Sequence, residues 1–359
     1  MSSTDILFSF DVGGTNTRYS INNGKPKRFS TDYSVVPLDT PMIKELAHAK
    51  EEFIVTFPNG KKVYLLKGDA VNAHSAPVEG VDAHTFKVLT PGTIYNIVYS
   101  IARTGLSLNL ENKTIYIAQT LPPAELYGGF APTYKESLAG TYEITFPYLN
   151  KEIRFTIKSE NILLAPEGIV CRALLPKNER KSLLQYPTLS IDVGYRSTDL
   201  ALLIKGKPVE GSAISKPHGG YNAQAFVSSA LERIGMYVPK QEIIDTIIPF
   251  GNYQGTNLTE ITNAARRLVA DTVYTDISSM FGAMPQYSLH SVRNLLLNGR
   301  LFSTPSIKNK DLMDMKQLLL SRFQNVHVFT LEDNEYSNLY AIAGMAVKQW
   351  KLNIPCLSI

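Results

Sequence analysis

One short phrase is written twice in this chain. Residues 6–15 read ILFSFDVGGT and residues 189–199 read LSIDVGYRSTD. Each copy is an apolar run, then Asp-Val-Gly, then a turn of Gly, Thr, Ser or Arg. A second apolar run follows, Tyr19–Ile21 in the first copy and Leu200–Ile204 in the second. Apolar runs joined by short Gly-containing turns predict β-hairpins. In each hairpin an Asp, Asp11 or Asp192, ends the first strand beside a row of backbone N–H groups. Successive N–H groups in such a turn form a concave anion site, and a nearby carboxylate can hold the hydration shell of Mg²⁺. The duplication predicts two similar domains gripping one nucleotide between them.

Length and composition leave room for this. At 359 residues the chain suits two or three domains, and 44% hydrophobic with 19% charged residues is the make-up of an ordinary globular protein. A net charge of +4 is too mild for a dedicated nucleic-acid binder. The basic stretches Lys25-Pro26-Lys27-Arg28 and Lys61-Lys62 flank turn signals and read as solvated hairpin tips. Cys171 and Cys356 are far apart and lack metal-ligand spacing, which argues against a disulfide framework and a zinc site. No apolar run approaches the roughly 18 residues of a membrane helix, and no basic leader precedes the first strand, so the expectation is a cytoplasmic protein without membrane contact.

Along the chain, strand-like runs at Phe53–Phe57 and Val63–Lys67 precede a helical pattern opened by Pro91-Gly92 and closed by Gly105. Strands are expected at Thr114–Thr120, Tyr142–Tyr148, Ile153–Ile157 and Ile162–Ala165, the last followed by Pro166-Glu167-Gly168. Asn178–Tyr186 reads as a polar connecting helix. Beyond Pro187 come helices at 221–234, 239–248, 258–282, 311–322 and 336–350, with strands at Asn294–Leu297 and Val326–Phe329. The final helix is expected to pack through Ala341, Gly344, Met345 and Val347. Strands mixed with helices of this length give an α/β protein. The expected domains are 1–182 with 336–359, carrying a smaller subdomain at 30–90, and 183–335.

These motifs resemble the actin-like ATPase superfamily. FDVGGTNTRYSI looks like its first phosphate loop, LSIDVGYRSTDLALL like its second, and LLLNGRLFS (295–303) like its adenosine loop. Within it the ParM (StbA) plasmid-segregation actins are most similar, through AQTLPPAELYGG (118–129) and LLAPEGIV (163–170). The resemblance implies a duplicated, ribonuclease H-like fold with two domains around a central nucleotide cleft. It implies an ATPase that polymerises with ATP, or with GTP as the alternative, and disassembles after hydrolysis. The implied partners are further copies of itself in a homopolymeric filament and a small DNA-binding adaptor on a plasmid centromere, with no direct DNA contact.

Residue by residue, Asp11 and Asp192 are expected to hold Mg²⁺ through water, or else to cap their turns. Gly13, Gly14, Thr15 and Asn16 are expected to cradle phosphate from one side and Gly194, Tyr195, Arg196 and Ser197 from the other. Tyr195-Arg196 stands where many relatives have Gly-Thr, so the backbone approach of the second loop to phosphate is expected to differ. Arg196 is read either as a charge contact or as solvent-facing. Gly219-Gly220 opens a helix and could approach ribose or phosphate, with the adjacent His218 read as a surface residue. Asn298, Gly299 and Arg300 are expected beside the nucleoside. Glu167, by the resemblance, positions the attacking water; on its own it also reads as an acidic residue at a helix start. A sugar kinase of the glucokinase type shares the opening DVGGTNTR, but the chain has Pro-Glu-Gly where such kinases carry an Asn-Asp phrase before the second loop. A nucleotide-dependent binding module is the third reading.

Overall fold

Strand β1 (Asp5–Val12) is buried on both faces along nearly its whole length, as befits a strand at the centre of a sheet. The computed structural model describes residues 5–36, 38, 52–68, 71, 79, 86–299, 302, 309–331 and 335–354. Parts of the expected 30–90 subdomain, together with Arg300 and Cys356, lie outside the described residues. The chain forms two units, Met1–Val170 with Asn338–Ile359, and Cys171–Ser337.

In the first unit β1 is followed by β2 (Asn16–Ile21), β3 (Lys27–Ser30), β4 (Tyr33–Val36), β5 (Glu52–Thr56), β6 (Lys62–Lys67), α1 (Pro91–Gly105), β7 (Thr114–Leu121), α2 (Pro123–Tyr127), α3 (Ala131–Leu138), β8 (Gly140–Phe146) and β9 (Lys151–Pro166). These strands make one sheet in the order β3-β2-β1-β7-β9-β8-β5-β6-β4. β1, β7 and β9 run parallel, with Phe10 opposite Gln119 and Gln119 opposite Leu164. Their C-terminal ends therefore line up along one side of the sheet. α1 starts with Pro at its first position and buries Ile97, Val98, Ile101 and Ala102. An aromatic series from Phe10 through Tyr19, Phe29 and Tyr99 to Phe53 and Phe146 fills the core beneath it.

The two strands expected at 153–157 and 162–165 are one 16-residue strand, β9. Its first half pairs antiparallel with β8 and its second half parallel with β7. The polar residues Lys158–Asn161 that suggested a break carry a register shift, since Ile115 faces Ile157 while Ile117 faces Ile162. The Asn161 side chain donates to Ile115 O at 3.2 Å and satisfies the carbonyl that the irregular ladder leaves over.

The second unit contains α4 (Lys177–Gln185), β10 (Thr188–Val193), β11 (Thr198–Ile204), β12 (Lys207–Pro208), β13 (Ile214–Lys216), α5 (Gly220–Arg233), β14 (Asn252–Tyr253), β15 (Thr256–Asn257), α6 (Thr259–Gly282), β16 (Asn294–Asn298), α7 (Met315–Leu320) and β17 (His327–Thr330). Its main sheet runs β12-β11-β10-β16-β17, with β13 also on β11. Residues 171–182 lie in this unit, because Cys171, Leu175 and Leu183 pack on Leu296 and Phe329. Burial in that cluster pushes the Cys171 thiol up from its ordinary value.

Two helices differ from expectation. α7 is shorter than 311–322 because Asp314 caps it, accepting the Lys316 N–H at 2.8 Å. In α8 (Ser337–Trp350) the buried apolar positions are Leu339, Ala341, Ile342, Ala343, Ala346 and Val347, whereas Met345 is 40% exposed. The true stripe runs 339, 342/343, 346 at helical spacing, which turns Met345 outward. Trp350 packs on Tyr116 with ring centroids 4.9 Å apart.

Candidate functional site

Both hairpins close in the same way. The Gly13 N–H donates to Asn16 O at 3.0 Å, and the Gly194 N–H donates to Ser197 O at 2.8 Å. A Cβ on Gly13 would stand 3.0 Å from Asn16 O, and one on Gly194 3.2 Å from Ser197 O. The tips are thus Gly14-Thr15 and Tyr195-Arg196. Neither Tyr195 nor Arg196 adopts a positive φ, so both residues fit a turn whose first copy carries Gly and Thr. The Tyr195-Arg196 pair leaves the closure of the second turn unchanged. Arg196 is half-buried at that tip. The first tip is braced by Thr31, whose N–H donates to Thr15 O at 2.9 Å, and by the Asn16 amide 3.3 Å from Thr15 Oγ1.

In the first unit, the sheet edge collects three of the relevant side chains. Asp11 lies one residue before the end of β1, facing Arg18 across the hairpin, with the guanidinium 3.3 Å from its carboxylate. The Thr120 hydroxyl approaches the other Asp11 oxygen from β7 at 3.5 Å. Glu167 follows the last residue of β9, and its N–H donates to Leu121 O at the end of β7. Ligands of open parallel sheets bind outside these C-terminal strand ends. Gly168, at φ +67, turns the chain away and donates its N–H to Asn338 Oδ1 at 3.0 Å.

The Glu167 carboxylate is only 7% exposed and receives the Lys87 ammonium on both oxygens, at 2.7 and 2.9 Å. The backbone N–H groups of Lys87 and Val88 in turn donate to the two oxygens of Glu125, both at 2.9 Å. Burial pushes the Glu125 carboxyl up from its ordinary value, against the opposing pull of the Lys87 charge and those two N–H donors.

The second unit repeats the strand-end arrangement with different chemistry. Asp192 sits one residue before the end of β10 and pairs in register with Asn298 of β16, whose amide donates to it at 2.7 Å. Ser337 Oγ donates in turn to Asn298 Oδ1. Gly299 has φ +98, and a Cβ there would stand 2.3 Å from Val193 O and 2.9 Å from Asp192 Oδ1. Across the hairpin Asp192 faces Asp199, where the first copy has Arg18. Like charges at one register repel; here the Asp199 carboxylate accepts from Ser215 Oγ, and from Ser197 Oγ at 3.4 Å.

Gly219 and Gly220 seat α5 on the second turn. The N–H groups of Gly220 and Tyr221 donate to Gly194 O and Tyr195 O at 3.1 and 2.7 Å. A Cβ on Gly219 would meet Gly194 O at 2.5 Å. Its own N–H is taken by Asn222 Oδ1 at 2.9 Å. The hairpin is thus the acceptor for the N–H groups of Gly220 and Tyr221, and Asn222 is the acceptor for that of Gly219. His218 Nδ1 lies 2.8 Å from Asp276 Oδ2, with its side chain 38% exposed.

No protein-family model matches the sequence, and no curated protein matches it. Solved structures do. An archaeal actin homolog, Ta0583, in complex with ADP superposes with a TM-score of 0.69 at 15% identity, over 96% of this chain and 99% of its own. The actin-like protein Alp7A gives 0.69 at 17% identity, over 97% of both chains. A 15-stranded ParM filament from Clostridium botulinum gives 0.63 at 14% identity, over 96% and 99%.

The fold is actin-like.

Several residues of this actin-like chain that shape the site carry no motif signal. Lys87 stands alone in HTFKVLTPG, far in sequence from the Glu it holds. Glu125 lies inside the LPPAELY segment, but its acceptor role depends on where the residues before α1 pass. Arg18 and Asp199 were legible only as the residues opposite Asp11 and Asp192 once the hairpin register is drawn. Among the described residues no three His, Cys, Asp or Glu side chains converge to bind a metal directly, and no helix is long and apolar enough to cross a membrane.

Proposed function

We propose that this protein is a cytoplasmic, filament-forming ATPase of the actin-like type, assembling with ATP and disassembling after hydrolysis. The observation that carries this reading is the repeated strand end. Asp11 and Asp192 each precede a turn closed by a Gly N–H to the carbonyl three residues on, and Glu167 lies at a neighbouring strand end. The similar structures, which include an ADP complex and a ParM filament, support it.

The residues present suit a magnesium nucleotide. Asp11, Asp192 and Asp199 offer hard oxygen donors, each carboxylate already oriented by an amide, hydroxyl or guanidinium, which fits Mg²⁺ held through water. The close packing at Gly299 and Gly13 keeps side-chain bulk off both turns. Bound Mg²⁺ would neutralise charge on the β- and γ-phosphates. Nucleotide hydrolysis depends on positioning and charge stabilisation more than on covalent chemistry. The first turn would offer the N–H groups of Gly14 and Thr15 to phosphate, and the second those of Tyr195 and Arg196. Glu167 would orient the attacking water. A role in plasmid partition, with a small DNA-binding adaptor as partner, belongs to the same proposal.

The test is right-angle light scattering after addition of Mg-ATP, with phosphate release followed in parallel. A rise that decays as phosphate appears is expected, and Glu167→Ala should assemble but persist. A flat trace with no phosphate release refutes the proposal, and hexose-dependent ADP release would assign a kinase instead.

A further inference from the structure

We propose that Lys87 is the positioning residue of the hydrolytic site: it fixes the Glu167 carboxylate as a water-orienting acceptor, and Glu125 fixes Lys87. The inference rests on the reading of Glu167 as the residue that orients water.

Three observations carry it. The Lys87 ammonium spans both Glu167 oxygens at 2.7 and 2.9 Å, with the two side chains 11% and 7% exposed. A carboxylate gripped in this way is held in one orientation. The Glu167 backbone is tied independently, through its own N–H to Leu121 O at 2.8 Å and through the Gly168 N–H to Asn338. Main chain and carboxylate are therefore held by separate contacts. Finally, Lys87 is itself anchored. Its N–H and that of Val88 use both oxygens of Glu125, which is 3% exposed on the short helix α2. Because α2 directly follows β7, the helix that starts at one strand end braces the acidic residue that follows the next.

The two contacts from one ammonium hold the Glu167 carboxylate in a fixed direction for accepting a hydrogen bond from water. The LPPAELY segment, otherwise only a family resemblance, gains a physical purpose through Glu125.

The experiment is steady-state and single-turnover ATP hydrolysis, with nucleotide affinity measured separately, on the full chain and its variants. Lys87→Met is expected to lower kcat roughly 10- to 100-fold, the scale of misplacing a positioned group by about 1 Å, with KM and nucleotide affinity within about twofold. Lys87→Arg should recover most of the loss. In a Glu167→Gln background, Lys87→Met should cost less than about a further twofold, because Lys87 acts through Glu167. Parent kcat in Lys87→Met, or a full additional loss in the Glu167→Gln background, overturns the inference. Should Lys87→Met fail to fold, Glu125→Gln decides: kcat lowered severalfold at unchanged KM supports the inference, and parent kcat overturns it. An unsubstituted chain that turns over no ATP refutes the functional proposal itself and this inference with it.

Discussion

Replacing Gly299 by Ala should loosen the second strand end from within. Gly299 sits at φ +98, a backbone region in which an L side chain costs about 1–3 kcal/mol. The added Cβ would also stand 2.3 Å from Val193 O. Real Cβ atoms stay beyond 3.0 Å, so a stiff backbone carbonyl must retreat by roughly 0.7 Å, an overpacking cost of about 1–3 kcal/mol. Together these give about 2–6 kcal/mol, and the strain falls on the pair Asp192–Asn298, whose 2.7 Å hydrogen bond is the first contact to open. Each 1.4 kcal/mol is about tenfold in an opening equilibrium. Amide exchange across 188–198 and 294–299 should therefore accelerate by roughly 30-fold or more, while 5–21 in the other unit exchanges as before. Gly60→Ala is the control, because Gly60 has φ +79 with nothing within 4 Å of a Cβ. It isolates the backbone cost from the clash. Unchanged exchange over 188–198 in Gly299→Ala would show that the close approach at Val193 does not constrain this loop.

Three further outcomes are expected. Asp192→Ala should slow nucleotide hydrolysis by at least about tenfold with secondary structure intact; parent turnover would remove the second hairpin from the site. Lys67 is 1% exposed, and its ammonium donates to Ser30 O, Asp32 O and Asn96 Oδ1 at 2.9, 2.8 and 2.6 Å. Lys67→Met strands those acceptors and should cost about 3 kcal/mol, read by Trp350 fluorescence as a lower urea midpoint; an unmoved midpoint refutes it. The raised Glu125 carboxyl binds its proton more tightly in the folded chain, so its contribution to stability is fully present below the ordinary value of 4.5 and is lost as pH rises through the folded value. Relative to Glu125→Gln, the parent should therefore lose stability as pH climbs above that point, and parallel stability-versus-pH curves would contradict it.

Most of the sheet framework was legible because hairpin turns and apolar runs report on neighbours only a few residues away. The two Asp-Val-Gly phrases predict strands that the structure shows at Asp5–Val12 and Thr188–Val193. Local patterns failed where a distant partner decides. Lys158–Asn161 looks like a break in sequence, yet β7 and β8 hold it in one strand. Met345 is apolar and outward, and only the packing of its neighbours 342, 343 and 346 shows which face is covered. Lys87 was invisible for the same reason: its significance lies in a carboxylate brought to it by the fold.

The continuity of β9 divides the chain into stretches that tolerate length changes and stretches that do not. At the hairpin tip before it, Asn150 already occupies a left-handed turn position at φ +46, and extra residues there would extend an exposed loop without moving anything downstream. Between Ile157 and Glu167 the strand is locked to β7 at Ile117 through Leu121. Removing one residue of 158–160 would either erase the register shift or draw Glu167 back by one strand position, reversing the direction of its side chain. Insertions and deletions should therefore be accepted at the tip, 147–150, and rejected from 151 to 166, where the strand is held in register by β8 and then by β7, a contrast that a scan of single-residue deletions through 147–166 would map directly.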